Sequence, residues 1–80
     1  MDHVDFIMTL ECIGLRNDLR LIMNRAPVGC GIFFYFIDDK SDTYSKDIVW
    51  RNGRESPESL FESLEVLAKD FKEELGKNDS

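Results

Sequence analysis

One stretch of the chain demands to be buried: Gly29-Cys30-Gly31-Ile32-Phe33-Phe34-Tyr35-Phe36-Ile37, an unbroken apolar run that holds four of the nine aromatic residues. Consecutive aromatic and β-branched side chains, bounded by glycine on one side and Asp38-Asp39 on the other, predict a β-strand, because such residues fit a pleated surface. Alternation then places Ile32, Phe34 and Phe36 on one face and Phe33, Tyr35 and Ile37 on the other. A strand with one wet face carries a polar residue at every second position, and this one carries none. Either the rest of the chain wraps both sides, or Phe33, Tyr35 and Ile37, or the strand's edge, meet a partner or a second copy.

From Asp2 to about Arg25, Val4, Ile7, Met8, Cys12, Leu15, Leu19, Ile22 and Met23 recur at three- and four-residue spacing, which predicts one long amphipathic helix capped by Asp2. Gly14 weakens that helix by about 1 kcal/mol relative to alanine. Val4, Phe6, Met8, Leu10 and Cys12 also fit a period of two, so the competing reading is a strand over 4–12 and a helix over 15–25. Ala26-Pro27 ends the helix in either case, since the residue before proline is pushed out of the helical region. Gly29 and Gly31 then lead into the strand.

Asp38-Asp39-Lys40-Ser41-Asp42-Thr43 reads as a polar turn, and Tyr44 to Trp50 as the returning strand of a hairpin, with Tyr44, Lys46, Ile48 and Trp50 on one face. Asn52-Gly53 is a further turn signal. Ser56-Pro57-Glu58 opens a second helix, with serine as N-cap and proline at the first helical position. It should run to about Leu75 and stop at Gly76, with Leu60, Phe61, Leu64, Leu67, Ala68, Phe71 and Leu75 toward the sheet; residues 77–80 should fray. The expected fold is a single α+β domain over residues 1–80, in α-β-β-α order, with two helices packed on an antiparallel β-hairpin. The alternative order is β-α-β-β-α.

Eighty residues bury only about 60–65% of their unfolded surface, enough for one modest core. The longest apolar run is far short of the roughly 20 residues of a membrane helix, and the N-terminus lacks a signal-peptide pattern, so a cytoplasmic protein is expected. Cys12 and Cys30 are the only cysteines; with no CxxC and no histidine at metal spacing, two buried thiols are expected, and neither a metal nor a cofactor. The three turn aspartates lack the glycine and glutamate positions of a calcium loop. His3 is the only histidine and has no nucleophile at a telling spacing. Carboxylates on a solvated helix face lack the apolar surroundings that raise a pKa for acid-base work. An enzyme is therefore not expected.

The net charge is −6, and the acids concentrate at the C-terminal end. Glu58, Glu62, Glu65, Asp70, Glu73 and Glu74 share the outer face of the second helix. The chain has no basic face to neutralise phosphates, which disfavours direct nucleic-acid binding. The pattern points instead to a small acidic binding protein that inhibits or neutralises a protein partner by occupying its basic or catalytic surface, as phage anti-defence and toxin-immunity proteins do. The residues expected at that contact are Asp38, Asp39, Asp42, Tyr44, Trp50, Glu58, Glu62 and Glu65. The alternative is a self-associating structural or regulatory module, a homodimer joined through the hairpin edge or through Phe33, Tyr35 and Ile37.

Overall fold

The computed structural model describes residues 2–25, 31–51 and 55–78. They form an α+β domain in the order α1 (His3–Arg16), β1 (Arg20–Arg25), β2 (Gly31–Asp38), β3 (Thr43–Tyr44), β4 (Ile48–Arg51) and α2 (Pro57–Asn78). The break at Ala26-Pro27, Gly29 and Cys30, the Asn52-Gly53 turn and the last two residues lie outside the described residues.

The apolar run supplies β2, the strand to which every other strand pairs. β1 runs antiparallel along one side of it, and β3 and β4 run antiparallel along the other. Both helices pack on the face that carries Phe34 and Phe36, which are fully buried among Leu10, Ile13, Trp50, Leu60, Leu64 and Phe71. Two helices packed on antiparallel strands is the arrangement expected from the sequence, but the helices cover one face only and β1 adds a strand beyond the expected hairpin.

Both helix starts are capped as their residues predict. Asp5 N–H donates to Asp2 Oδ1 at 2.9 Å, and Ser59 N–H donates to Ser56 Oγ at 3.2 Å. These side chains satisfy backbone donors that have no partner inside the first turn. α2 runs on past Gly76 to Asn78.

The long first helix does not form. α1 ends at Arg16, and the residues expected in its last turns are strand β1. Asp18 takes a left-handed conformation, φ 54°. Asp18 N–H then reaches Leu15 O at 3.1 Å, and Leu19 N–H reaches Gly14 O at 2.9 Å. This is the paired bonding of a Schellman helix end, with Asp18 in the place usually held by glycine. Asn17 adds a side-chain bond to Ile13 O at 2.8 Å. Gly14 is needed at this corner, because a Cβ there would lie 3.0 Å from Leu19 O. A residue that costs helix propensity thus lets the chain double back closely on itself.

The returning half of the hairpin also differs from expectation. Tyr44 pairs with Ile37 and Ile48 pairs with Phe34, so four steps along one strand match three along the other. The extra residue is absorbed at 45–47, where the ladder is interrupted. Phe36 N–H donates to the Ser45 hydroxyl at 2.8 Å, and Ser45 N–H returns a bond to Phe36 O at 2.9 Å. This bulge shifts the register by one residue, which moves every following side chain to the opposite face. Tyr44 therefore faces away from the helices, while Ile48 and Trp50 face them.

The two faces of β2 carry different weights, which mutation can read. Phe34→Ala should cost about 3–5 kcal/mol in chemical denaturation, the range for emptying a buried aromatic site. Phe33→Ala, on the half-buried outer face, should cost clearly less. Equal losses would mean that both faces are covered.

Candidate functional site

Trp50 was expected as an exposed anchor for a partner, and it is a core residue. It is 6% exposed, stacks on Phe6 of α1 with ring centroids 5.4 Å apart, and donates from its indole N–H to Glu55 O at 3.3 Å. Phe6 in turn meets Phe61 of α2 at 5.6 Å. The bulge at 45–47 turned Trp50 inward, and an indole buried between two helices cannot reach a partner.

The same register shift turned Tyr44 outward. Its ring is 62% exposed and leans on Tyr35, 6.0 Å away between centroids. Beside it, between the 44–46 stretch and the C-terminal half of α2, lies an open cleft of about 310 Å³. Asp70, Glu73 and Glu74 line that cleft together with Tyr44 and the two lysines Lys46 and Lys77. The sequence places all three acids on the outer face of α2. Their proximity to Tyr44 depends on the position of β3 against that helix, which no spacing within the sequence reveals.

The expected acidic residues divide into three groups. Asp38, Asp39 and Asp42 lie together at the β2–β3 turn, where Asp42 adopts φ 54°. The Ser41 hydroxyl donates to Asp38 Oδ2 at 2.6 Å and holds that carboxyl below the ordinary carboxylate range. Desolvation opposes the shift, while the backbone N–H groups of Ser41 and Lys40 and the charge of Lys72 reinforce it. Asp39 accepts from Arg20 at 2.9 Å. Glu65 is engaged by Arg16 of α1, not by Lys69 one turn along its own helix, so it bridges the two helices. Glu58 and Glu62 are exposed, but they lie at the other end of α2; Glu58 is about 22 Å along the helix axis from Glu73 at 1.5 Å per residue.

Phe33, Tyr35 and Ile37 lie on the sheet face away from the helices, with Ile22, Tyr44 and Val49 from the neighbouring strands. None of these side chains joins the core cluster or packs against it. Phe33 and Tyr35 are half-buried, and Ile37, between its register partners Arg20 and Tyr44, is 7% exposed. β2 itself is paired on both sides, so among the described residues the sheet's open edges are β1 on one side and β3 with β4, the outer edge of the expected hairpin, on the other.

Of the two cysteines expected to be buried, Cys12 is exposed on α1 and Cys30 lies outside the described residues. Among the described residues, no three His, Cys, Asp or Glu side chains gather as a metal site, and no helix is long and apolar enough to cross a membrane.

The lowered Asp38 pKa has a definite pH signature. A carboxylate whose folded pKa is depressed adds stability above its unfolded pKa and loses that contribution as pH falls through the folded value. Ser41→Ala should therefore raise the Asp38 pKa toward the ordinary value of about 3.9 and start acid unfolding at a higher pH. Side-chain carboxyl titration by NMR reads this directly; an unchanged Asp38 titration would remove Ser41 as the cause.

Compared with known proteins, the chain matches no family model, no curated protein and no solved structure.

Proposed function

We propose that the protein is a small, non-enzymatic binding protein that docks on a basic surface of a protein partner through the acidic cleft around Tyr44. The observation that carries this reading is that Tyr44, a residue 62% exposed, lines one cleft with Asp70, Glu73 and Glu74, whose three charges outnumber those of Lys46 and Lys77. Aromatic side chains supply large contact areas at small entropic cost and are enriched among the residues that dominate interface energies. Carboxylates around such an anchor steer a basic partner and set its orientation, which raises the association rate more than the affinity. By occupying a lysine- and arginine-rich surface, the protein would compete with whatever that surface normally holds, in the manner of an anti-defence or immunity protein.

The turn acids extend the same surface. Asp38 feels the charge of Lys72 on α2. Arg20 already compensates Asp39, and Arg16 compensates Glu65, so these two carboxylates contribute less to an external partner. Glu58 and Glu62 remain as a more distant acidic field at the other end of α2.

Two charge-reversed proteins test the assignment. Replacing Asp70, Glu73 and Glu74 by lysine, or Tyr44 by alanine, should abolish capture of a basic protein that the wild type retains from host lysate at low salt. Replacing Glu58 and Glu62 by lysine should slow association without abolishing it. Raised salt should weaken wild-type capture, since exposed charges are screened beyond roughly 10 Å at 0.1 M. Retention of the same proteins by the cleft variants and the wild type would refute the reading.

A further inference from the structure

The corner where α1 lies beside β1 collects apolar surface that the fold does not use. Of the seven large apolar side chains exposed among the described residues, four stand here: Val4, Met8 and Leu15 on α1 and Met23 on β1. Leu15 is 78% exposed. α1 is thus apolar on two sides, burying Leu10, Ile13 and Gly14 on one and presenting Val4, Met8 and Leu15 on the other. A helix with a single partner needs only one apolar stripe, and exposed apolar surface concentrated in one place marks a contact. Between α1 and β1 runs an open groove of about 480 Å³, lined by Ile7, Leu15, Leu21 and Met23 and carrying one acid, Glu11, and one base, Arg20.

The strand beside this groove has an open edge whose free groups can be assigned. Phe36 directs its N–H and its C=O to Ser45, on the β3 side. Backbone groups alternate along a strand, so Phe33, Tyr35 and Ile37 direct theirs to β1, where their register partners are Asn24, Ile22 and Arg20. The intervening Leu21, Met23 and Arg25 therefore point their N–H and C=O groups out of the sheet. β1, Arg-Leu-Ile-Met-Asn-Arg, contains no proline or lysine; its charges are confined to its two ends, Arg20 and Arg25, which leaves the middle of the edge without the devices that stop an edge from pairing.

We propose that this edge pairs antiparallel with β1 of a second copy of the chain, across a two-fold axis at Met23. The proposal goes beyond the acidic-cleft reading and uses a different surface. Leu21, Met23 and Arg25 are symmetric about Met23, so each outward donor meets an outward acceptor of the copy. In that register Arg25 lies opposite Leu21 of the copy. Leu21, Met23 and Arg25 share the helix side of the sheet, since Leu21 and Met23 pair with the core residues Phe36 and Phe34. Arg25 is thereby delivered to the end of the groove where Glu11 of the copy stands beside Leu21, and opposite charges meet twice by symmetry. Arg20 also borders the groove, but it pairs in register with Ile37 and its guanidinium is held by Asp39, which leaves Glu11 to Arg25. Strand pairing alone buries too little for a stable interface, which takes about 1,000 Å² or more; the apolar outer side of α1 and the groove supply the remainder. The product is one continuous sheet with both acidic clefts at its ends.

Sedimentation velocity at micromolar concentration should give twice the 9.3 kDa chain mass. Met23→Pro removes an N–H that β2 does not use, a place where edge strands accept proline. It should sediment at 9.3 kDa with unchanged circular dichroism. Arg25→Glu or Glu11→Arg alone should weaken the dimer by about tenfold, as two symmetric attractive pairs become repulsive, and the double variant should restore it. A Met23→Cys chain that also carries Cys12→Ser and Cys30→Ser should form a disulfide-linked dimer under mild oxidation. Residues opposed in a hydrogen-bonded pair have Cα atoms about 5.5 Å apart, within disulfide reach. Val66→Cys, on the exposed side of α2, should not cross-link; this arm decides the matter if Met23→Pro fails to fold. A wild-type chain that sediments as a monomer, including one that instead accepts an extended foreign peptide at β1, overturns the proposal. So does a Met23→Pro variant that folds and stays dimeric, or a charge swap that fails to restore association.

Discussion

The structure depends on the burial of Phe34 and Phe36 beneath two helices. Both side chains have no exposed surface, and each fully buried side chain of this size contributes about 1.5–3 kcal/mol of transfer free energy. Nothing else in so short a chain concentrates as much apolar surface in one element, so β2 is the strand on which the other parts converge. Covering its inner face uses both helices. α2 supplies Leu60, Leu64, Leu67 and Phe71, and α1 supplies Leu10 and Ile13. The described residues contain no third helix to cover the outer face. Phe33 and Tyr35 are consequently left half-buried, shielded by their strand neighbours alone.

The bulge at 45–47 turns this packing into a surface. With a regular ladder, Tyr44 and Trp50 would share a face, and one of two costly results would follow: a tryptophan in water or a tyrosine hydroxyl driven into the core. The extra residue separates them. Trp50 enters the core, where Phe6 stacks on it and Phe61 backs Phe6, and Tyr44 stands at the rim beside the acids of α2. Ser45 makes the break affordable, since its hydroxyl accepts the Phe36 N–H that the interrupted strand cannot satisfy. A local irregularity of the ladder thus places the one exposed aromatic ring where a partner can reach it.

Much of this was legible in the residues. The central strand, its two faces, the turn at Asp38–Thr43, the caps at Asp2 and Ser56 and the inner stripe of α2 all follow from strong local chemistry. The end of α1 was not legible from hydrophobic spacing, because Leu19, Ile22 and Met23 continue a helical stripe as readily as they populate a strand. The decisive residues were Asp18, whose short polar side chain tolerates the left-handed turn that glycine usually supplies, and Asn17, whose side chain bonds back to Ile13 O. The bulge was hidden for a related reason: Ser45, Lys46 and Asp47 carry no apolar pattern from which a register could be read. Long-range pairs are a third class. Arg16 and Glu65 are 49 residues apart in sequence, and no local spacing announces them. At the candidate site, the sequence indicated Tyr44 and placed the helix contact at Glu58, Glu62 and Glu65, whereas the acids that share a cleft with Tyr44 are Asp70, Glu73 and Glu74.

The central claim, that β2 is the inner strand on which the rest of the domain is assembled, is tested most directly by native-state amide hydrogen exchange. Core strands open only with global unfolding, whereas edges and helix ends open locally. The account predicts that the amides of Ile32 to Ile37 exchange most slowly in the chain, with a free energy of opening equal to that of global unfolding. Fast exchange along β2, with the slowest amides confined to α1 or α2, would contradict it.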